Sequence, residues 1–203
     1  MTAARLYDQP QDSSAFGPQM GSSNFASRAG GDWRDDLLER HGELFGDHSE
    51  PGSGRPEVGD GWAELVCRAV ERIADASRRT TAAVRIVQLK EKYGTLRLYT
   101  NLIREPEAQA AVDEVIALAE ARSACTCEEC GDEGVLYERG DVLATLCARH
   151  GRGIPVKVRP GWENIHIRRA LRDGKVRIVS CRRYIRSEDA FVDVPPFALG
   201  IKE

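Results

Sequence analysis

Four metal-binding side chains arranged in two pairs constrain this chain more than any other feature. Cys127 and Cys130 are separated by two residues, and after sixteen further residues Cys147 and His150 repeat that spacing. A tight turn can aim such a pair at one point, and two pairs complete the tetrahedron of ligands that zinc prefers. Gly131 follows the second cysteine, where the backbone of such a turn often needs a positive φ. The sequence therefore predicts a closed structural zinc site at Cys127, Cys130, Cys147 and His150.

Cys125 is an alternative ligand, because Cys125 and Cys127 also place two sulfur atoms close together. We favour the pair Cys127 and Cys130, whose spacing is the usual one for zinc. The N-terminus lacks the apolar stretch of a secretory signal, so we expect a cytoplasmic protein with reduced thiols. Cys67 and Cys181 have no partner in the sequence and are predicted to be buried thiols.

The residues between the two ligand pairs have the pattern of a β-hairpin. Apolar residues of 135–138 and 142–146 flank Arg139-Gly-Asp141, and a helix is predicted to begin at Cys147. This order of knuckle, hairpin and helix resembles a treble-clef zinc finger. Treble-clef nucleases carry a catalytic histidine on the hairpin, and residues 134–145 contain no histidine. Because four protein ligands also leave no position for an activated water, the sequence leans against an enzyme.

The remaining segments predict an α+β fold. Residues 1–31 are rich in Ser, Gly, Gln and Ala and predict a flexible N-terminal arm. Residues 32–124 predict a body of three helices and a β-hairpin, which turns at Tyr93-Gly94. The predicted fold is thus a small helical and β-hairpin domain with a treble-clef-like zinc module at 125–152. A basic helix-strand segment with an acidic tail is predicted at 153–203.

The net charge of −3 hides an uneven distribution of charge. Residues 1–148 carry 16 basic and 26 acidic side chains, whereas residues 149–186 carry 12 and 2. Within the basic stretch a helix is predicted at 162–172, because Ile167, Ala170 and Leu171 can share one helix face. A strand is predicted from Lys175 to Arg186. Eight cations are candidates for phosphate contacts: Arg168, Arg169, Arg172, Lys175, Arg177, Arg182, Arg183 and Arg186. The alternative is a basic face that is solvated or docks on the acidic body.

Several segments together resemble a set of small zinc-knuckle proteins of bacteria and their phages. The resemblance rests on residues 33–45, 87–99, 127–131 and 145–150 and on Gly59-Asp-Gly-Trp62. It covers about residues 32–150 and implies an architecture, since that set has no assigned activity.

Two functions of different classes follow from these patterns. The first is a non-enzymatic, zinc-stabilised protein that binds DNA or RNA, with a phage- or defence-related role. The second is an inhibitor or adaptor, such as an immunity or anti-host factor, that binds a charged partner protein. The sequence has no run of about 18 apolar residues that predicts a membrane span, and it indicates no small-molecule substrate.

Overall fold

The computed structural model describes residues 31–45, 54–80, 83–101 and 103–201. The predicted N-terminal arm lies outside these ranges except for Gly31. Within the described residues no helix is both long and apolar enough to cross a membrane.

Three helices form where the apolar residues recur at helical spacing. They are α1 (Trp33–Arg40), α2 (Ala63–Arg78) and α3 (Pro106–Ser123). The side chain of Asp32 caps α1 by accepting a hydrogen bond from the backbone N–H of Arg34 (3.0 Å). Pro106 occupies the first turn of α3. Its missing N–H costs nothing there, because an N–H at this position has no acceptor within the helix. The three helices predicted within residues 32–124 are confirmed.

A β-hairpin and the apolar face of α2 form the main core. Strands β1 (Ile86–Lys92) and β2 (Thr95–Thr100) pair antiparallel. Their connection is Tyr93-Gly94, with φ values of 57° and 75°, as a two-residue hairpin turn requires. Apolar side chains of both strands are buried in one cluster with those of α2 and with Trp62, the residue before α2. The cluster includes Val66, Val70, Ile73, Leu89 and Leu96. The predicted hairpin is confirmed.

A second hairpin connects the two predicted ligand pairs, and here one prediction is wrong. Strands β3 (Val135–Arg139), β4 (Val142–Leu146) and β5 (Ile154–Pro155) form a sheet in the order β4-β3-β5. The predicted hairpin is present, but residues 148–150 form a turn instead of a helix. Gly153 has a φ of +103°, and the chain then pairs with β3, so a helix cannot continue from Cys147. The described residues contain the predicted turn and hairpin but no helix at this position, so the treble clef stays a prediction.

The basic segment is a sheet, so the helix predicted at 162–172 is also wrong. Strands β6 (Ile165–Arg172), β7 (Lys175–Ile185) and β8 (Ala190–Asp193) are antiparallel in the order β6-β7-β8. Asp173 and Gly174 connect β6 to β7 with φ values of 50° and 70°. An Asp-Gly pair between two strands is a strong hairpin signal, because both residues tolerate positive φ. That local turn preference outweighs a helical pattern that rested on three apolar residues.

Asp189, from the predicted acidic tail, docks this sheet on the helices. Its carboxylate accepts a hydrogen bond from the Tyr184 hydroxyl (2.7 Å) and forms ion pairs with Arg68 (3.1 Å) and Arg72 (2.8 Å) of α2. Arg122 of α3 lies 3.7 Å away. Burial raises the pKa of the Asp189 carboxyl, but the hydroxyl and the arginines outweigh it and hold that pKa below its usual value.

Asp189→Asn keeps the shape of the side chain and removes its charge, so we expect the free energy of unfolding to fall. The loss should be about 2 kcal/mol at pH 7, below the value for a fully buried pair because the arginines are partly exposed. Urea unfolding followed by circular dichroism measures it. Since the native pKa is lowered, this contribution is complete above about pH 4 and is lost as the pH falls through the native pKa.

Asp75→Asn is the matched control, because among the described residues the Asp75 carboxylate pairs only with the exposed Arg78. It should cost less than about 0.5 kcal/mol. Equal effects of the two substitutions would contradict the role of Asp189.

Candidate metal centre

The structure brings Cys127, Cys130, Cys147 and His150 together. Their ligand atoms all lie within 4.8 Å of one another. The Cys130 and Cys147 sulfur atoms are 3.7 Å apart, and His150 Nδ1 lies 3.5 Å from the Cys127 sulfur and 3.4 Å from that of Cys147. When four sulfur ligands surround an ion in a tetrahedron with bonds of about 2.3 Å, the ligand atoms lie about 3.8 Å from one another. Three cysteines and one histidine can therefore hold a metal ion here, with Nδ1 as the imidazole ligand.

The first ligand pair lies on a tight backbone turn. The Cys127 N–H donates to the Asp132 carbonyl (2.7 Å), and the Gly131 N–H donates back to the Cys127 carbonyl (2.9 Å). Gly131 has a φ of +80°, as predicted. We call residues 126–133 the knuckle, since a backbone bridge between Thr126 and Glu133 closes the turn.

The second ligand pair lies on the turn that follows β4. Cys147 comes directly after the strand, and the His150 N–H donates to its carbonyl (3.1 Å). Tyr137 and Ala144 of the hairpin pack against the buried Cys127 and Cys147. The second pair is thus positioned by the hairpin and needs no helix.

Cys125 belongs to the helix end and not to the cluster. Its thiol lies 3.3 Å from the Arg122 carbonyl at the end of α3. Burial raises the pKa of the Cys125 thiol, which disfavours a thiolate. Cys67 and Cys181 are also buried, and burial raises the pKa of Cys67 to about 12. All six cysteines are free of disulfides.

The charge of the cluster is suited to a divalent cation. Burial raises the pKa of the Cys147 thiol, but the backbone N–H groups of His150 and Arg149 and the neighbouring thiols lower it to about 6. Cysteines that bind a metal ion do so as thiolates, and three thiolates would outnumber the charges of a divalent ion. Arg149 can offset the excess, since it donates to the Cys130 sulfur (3.7 Å). Arg149 is itself held by Asp132 (2.5 Å). This arginine orients and neutralises the ligands from outside the first coordination shell.

Sequence reasoning missed the loop on which the knuckle rests. The Gly61 N–H donates to the Glu128 carbonyl (2.8 Å), and the indole N–H of Trp62 donates to the Thr126 carbonyl (2.8 Å). A Cβ atom on Gly61 would lie 2.4 Å from the Cys127 carbonyl oxygen. The available signal was the Gly59-Asp-Gly-Trp62 motif, where glycines permit close backbone contact.

The eight cations predicted to bind phosphate divide into three with close partners in the protein, one near Asp113 and four at the end of a hairpin. Three of them have partners within the protein: Arg182 pairs with Glu114 (2.7 Å), and Arg183 and Arg186 donate to the carbonyls of Gly161 (2.7 Å) and Gly131 (3.2 Å). Arg168 lies 4.0 Å from Asp113.

The other four cations lie on the exposed end of the β6–β7 hairpin, residues 169–178, which we call the basic arm. They are Arg169, Arg172, Lys175 and Arg177. Within the described ranges none of the four forms an ion pair with a carboxylate. The structure therefore leaves half of the predicted set available to a ligand.

Comparisons of this chain with protein-family models, with curated proteins and with solved structures found no match. The resemblance to zinc-knuckle proteins of bacteria and phages stays a prediction.

Purified protein should contain one metal ion per chain, as measured by plasma mass spectrometry. The double substitution Cys127→Ser and Cys130→Ser removes two ligands, so it should lose most of the metal. Cys125→Ser is the control, since this neighbouring thiol lies outside the cluster, and it should keep the wild-type content. Equal metal loss in the control, or none in the double variant, would contradict the assigned ligands.

Proposed function

We propose that this protein is a non-enzymatic, zinc-stabilised nucleic-acid-binding protein that contacts phosphates through the basic arm. The single observation that carries the proposal is the group of four cations on the exposed arm, none of which forms an ion pair with a described carboxylate.

Zinc is the metal that suits the cluster best. Thiolate and imidazole ligands in a tetrahedral arrangement are typical of structural zinc sites. Four protein ligands complete the coordination of the ion, so its role is to stabilise the fold. A thiolate site of this kind persists in a reducing compartment, which supports a cytoplasmic protein.

The arm offers charge in a form that suits phosphates. Every residue from 171 to 177 is exposed, and this stretch includes Arg172, Lys175 and Arg177. Guanidinium groups bind phosphate oxygens through two parallel hydrogen bonds, and the accompanying release of counterions supplies affinity that does not depend on sequence. The acidic body repels a nucleic acid, so the arm alone determines which side of the protein approaches it. The resemblance to proteins of bacteria and phages adds a phage- or defence-related role.

A salt titration tests this proposal most directly. With about four phosphate contacts, the logarithm of the binding constant should fall with the logarithm of salt concentration with a slope of about −3.6. Fluorescence anisotropy with labelled duplex DNA and RNA measures the slope. Replacing Arg169, Arg172, Lys175 and Arg177 with Ala should remove salt-dependent binding.

The matched control replaces four exposed cations elsewhere on the protein, which changes the net charge equally. These are Arg79, Arg85, Lys92 and Arg104. The control should keep the wild-type slope to within about one unit. Wild-type binding that is absent at low salt, or equal losses in both quadruple variants, would overturn the proposal.

A second candidate function is a protein-binding inhibitor or adaptor. It is favoured by a groove of about 380 Å³ between the metal-binding sheet and the body, whose lining includes Tyr137, Ala144 and Leu146. Glu129 and Arg152 form an ion pair in the same lining (3.1 Å), and both charges can contact a partner. A stoichiometric protein partner that survives nuclease treatment would favour this function.

A further inference from the structure

The basic arm exposes two large apolar side chains beside its cations. Leu171 is 73% exposed and Val176 is 67% exposed. They are direct cross-strand partners, and only the pair Arg172 and Lys175 lies between them and the turn at Asp173-Gly174. Exposed apolar side chains that sit together at the end of a protruding hairpin indicate a contact with another molecule.

The pairing of β6 with β7 sorts the arm into two faces. Side chains alternate along a strand, so Leu171 and Val176 share one face with the pair Arg169 and Ile178. The opposite face carries Arg172, Lys175 and Arg177. One face of the arm is therefore mainly apolar and the other is cationic.

The arm is long enough to reach the floor of a DNA groove. Arg168 is close to α3 through its ion pair with Asp113, and the pair Arg172 and Lys175 lies four residues further along the hairpin. At about 3.3 Å per residue, the tip extends roughly 13 Å beyond this contact. The grooves of B-DNA are about 7.5 to 8.5 Å deep.

We infer that the basic arm enters a groove of duplex DNA and inserts Leu171 and Val176 as a wedge between base pairs. This inference rests on the proposed nucleic-acid binding and names its substrate, a duplex that bends easily. Apolar side chains inserted between base steps unstack them and kink the duplex, while cations beside them hold the phosphates. When the apolar pair faces the bases, the cations of the opposite face point outward, and their long side chains can extend to the phosphates at the edges of the groove.

The sequence of the DNA should affect binding through its stiffness. Pyrimidine–purine steps such as TA unstack easily, whereas A-tracts are stiff. The protein should bind a duplex with central TA steps more tightly than an A-tract duplex of equal length, although charge contacts are the same in both.

The test uses duplexes of about 30 base pairs with a fluorescence donor and acceptor at the two ends. Full-length protein is titrated while energy transfer reports bending and anisotropy reports binding. We expect the wild type to kink the TA duplex by about 20 to 90°. The double substitution Leu171→Ser and Val176→Ser should lose most of the rise in energy transfer and keep the salt slope of binding, because all cations remain.

Val87→Ser with Val142→Ser is the matched control, since both residues are exposed valines outside the arm. This variant should bend DNA like the wild type, and thermal melting checks that both variants fold. Wild-type binding without bending, or undiminished bending by the arm variant, would overturn the inference and leave the proposed function standing. Binding to single strands alone, or a dimer that the arm substitutions dissociate, would also overturn it. Absence of salt-dependent binding to any nucleic acid would instead overturn the proposed function itself.

Discussion

The close backbone contact between the knuckle and the loop before α2 is the interaction on which the rest of the structure depends. Gly61 and Trp62 each donate a hydrogen bond to the knuckle, and the Gly59 N–H donates to the Glu128 carboxylate (3.0 Å). Trp62 is also completely buried in the main core at the start of α2. One short loop therefore holds both the core and the metal-binding turn. Glycine is needed at position 61 because any side chain would meet the ligand-bearing backbone.

Other parts of the molecule are connected through the same region. The Thr145 hydroxyl, two residues before Cys147, donates to the Gly94 carbonyl at the turn of the first hairpin (2.6 Å). Arg186 of the C-terminal segment donates to the Gly131 carbonyl in the knuckle. A metal ion held by the four ligands would contribute folding free energy to the sheets that meet there, since the ligands are brought together only in the folded chain. Arg186, which directly follows β7, thus links the C-terminal sheet to the knuckle.

Local signals account for what could be predicted from the sequence. The helical spacing of apolar residues, the Tyr93-Gly94 turn and the ligand pairs with Gly131 each depend on a few neighbouring residues, and all three features are present. The helix predicted at 162–172 failed because a short apolar pattern fits a helix or a strand equally well. The decisive information lies just after the predicted helix, in the Asp173-Gly174 pair that forms the hairpin turn.

Contacts between distant residues account for what could not be predicted. Arg182 and Glu114 are 68 positions apart, and no sequence spacing shows that this arginine is neutralised within the protein. The same holds for Asp189 with Arg68 and Arg72, and for Gly61 against the knuckle. The eight cations could be named as a group, but only the fold divides them into three that support the sheet, one beside Asp113 and four that remain on the arm.

The most direct test of the contact between the knuckle and the loop before α2 is the metal affinity of Gly61→Ala, measured by competition with a chelator. Gly61 supplies no ligand, but its added Cβ would displace the backbone that carries Cys127 and Cys130. We predict that this variant releases its metal at a chelator concentration at least about tenfold lower than the wild type, the size of effect typical of residues that support metal ligands. Gly42→Ala, where a Cβ meets nothing within 4 Å, should match the wild type. Wild-type metal affinity in Gly61→Ala would contradict the claim that the body of the protein holds the metal-binding turn in place.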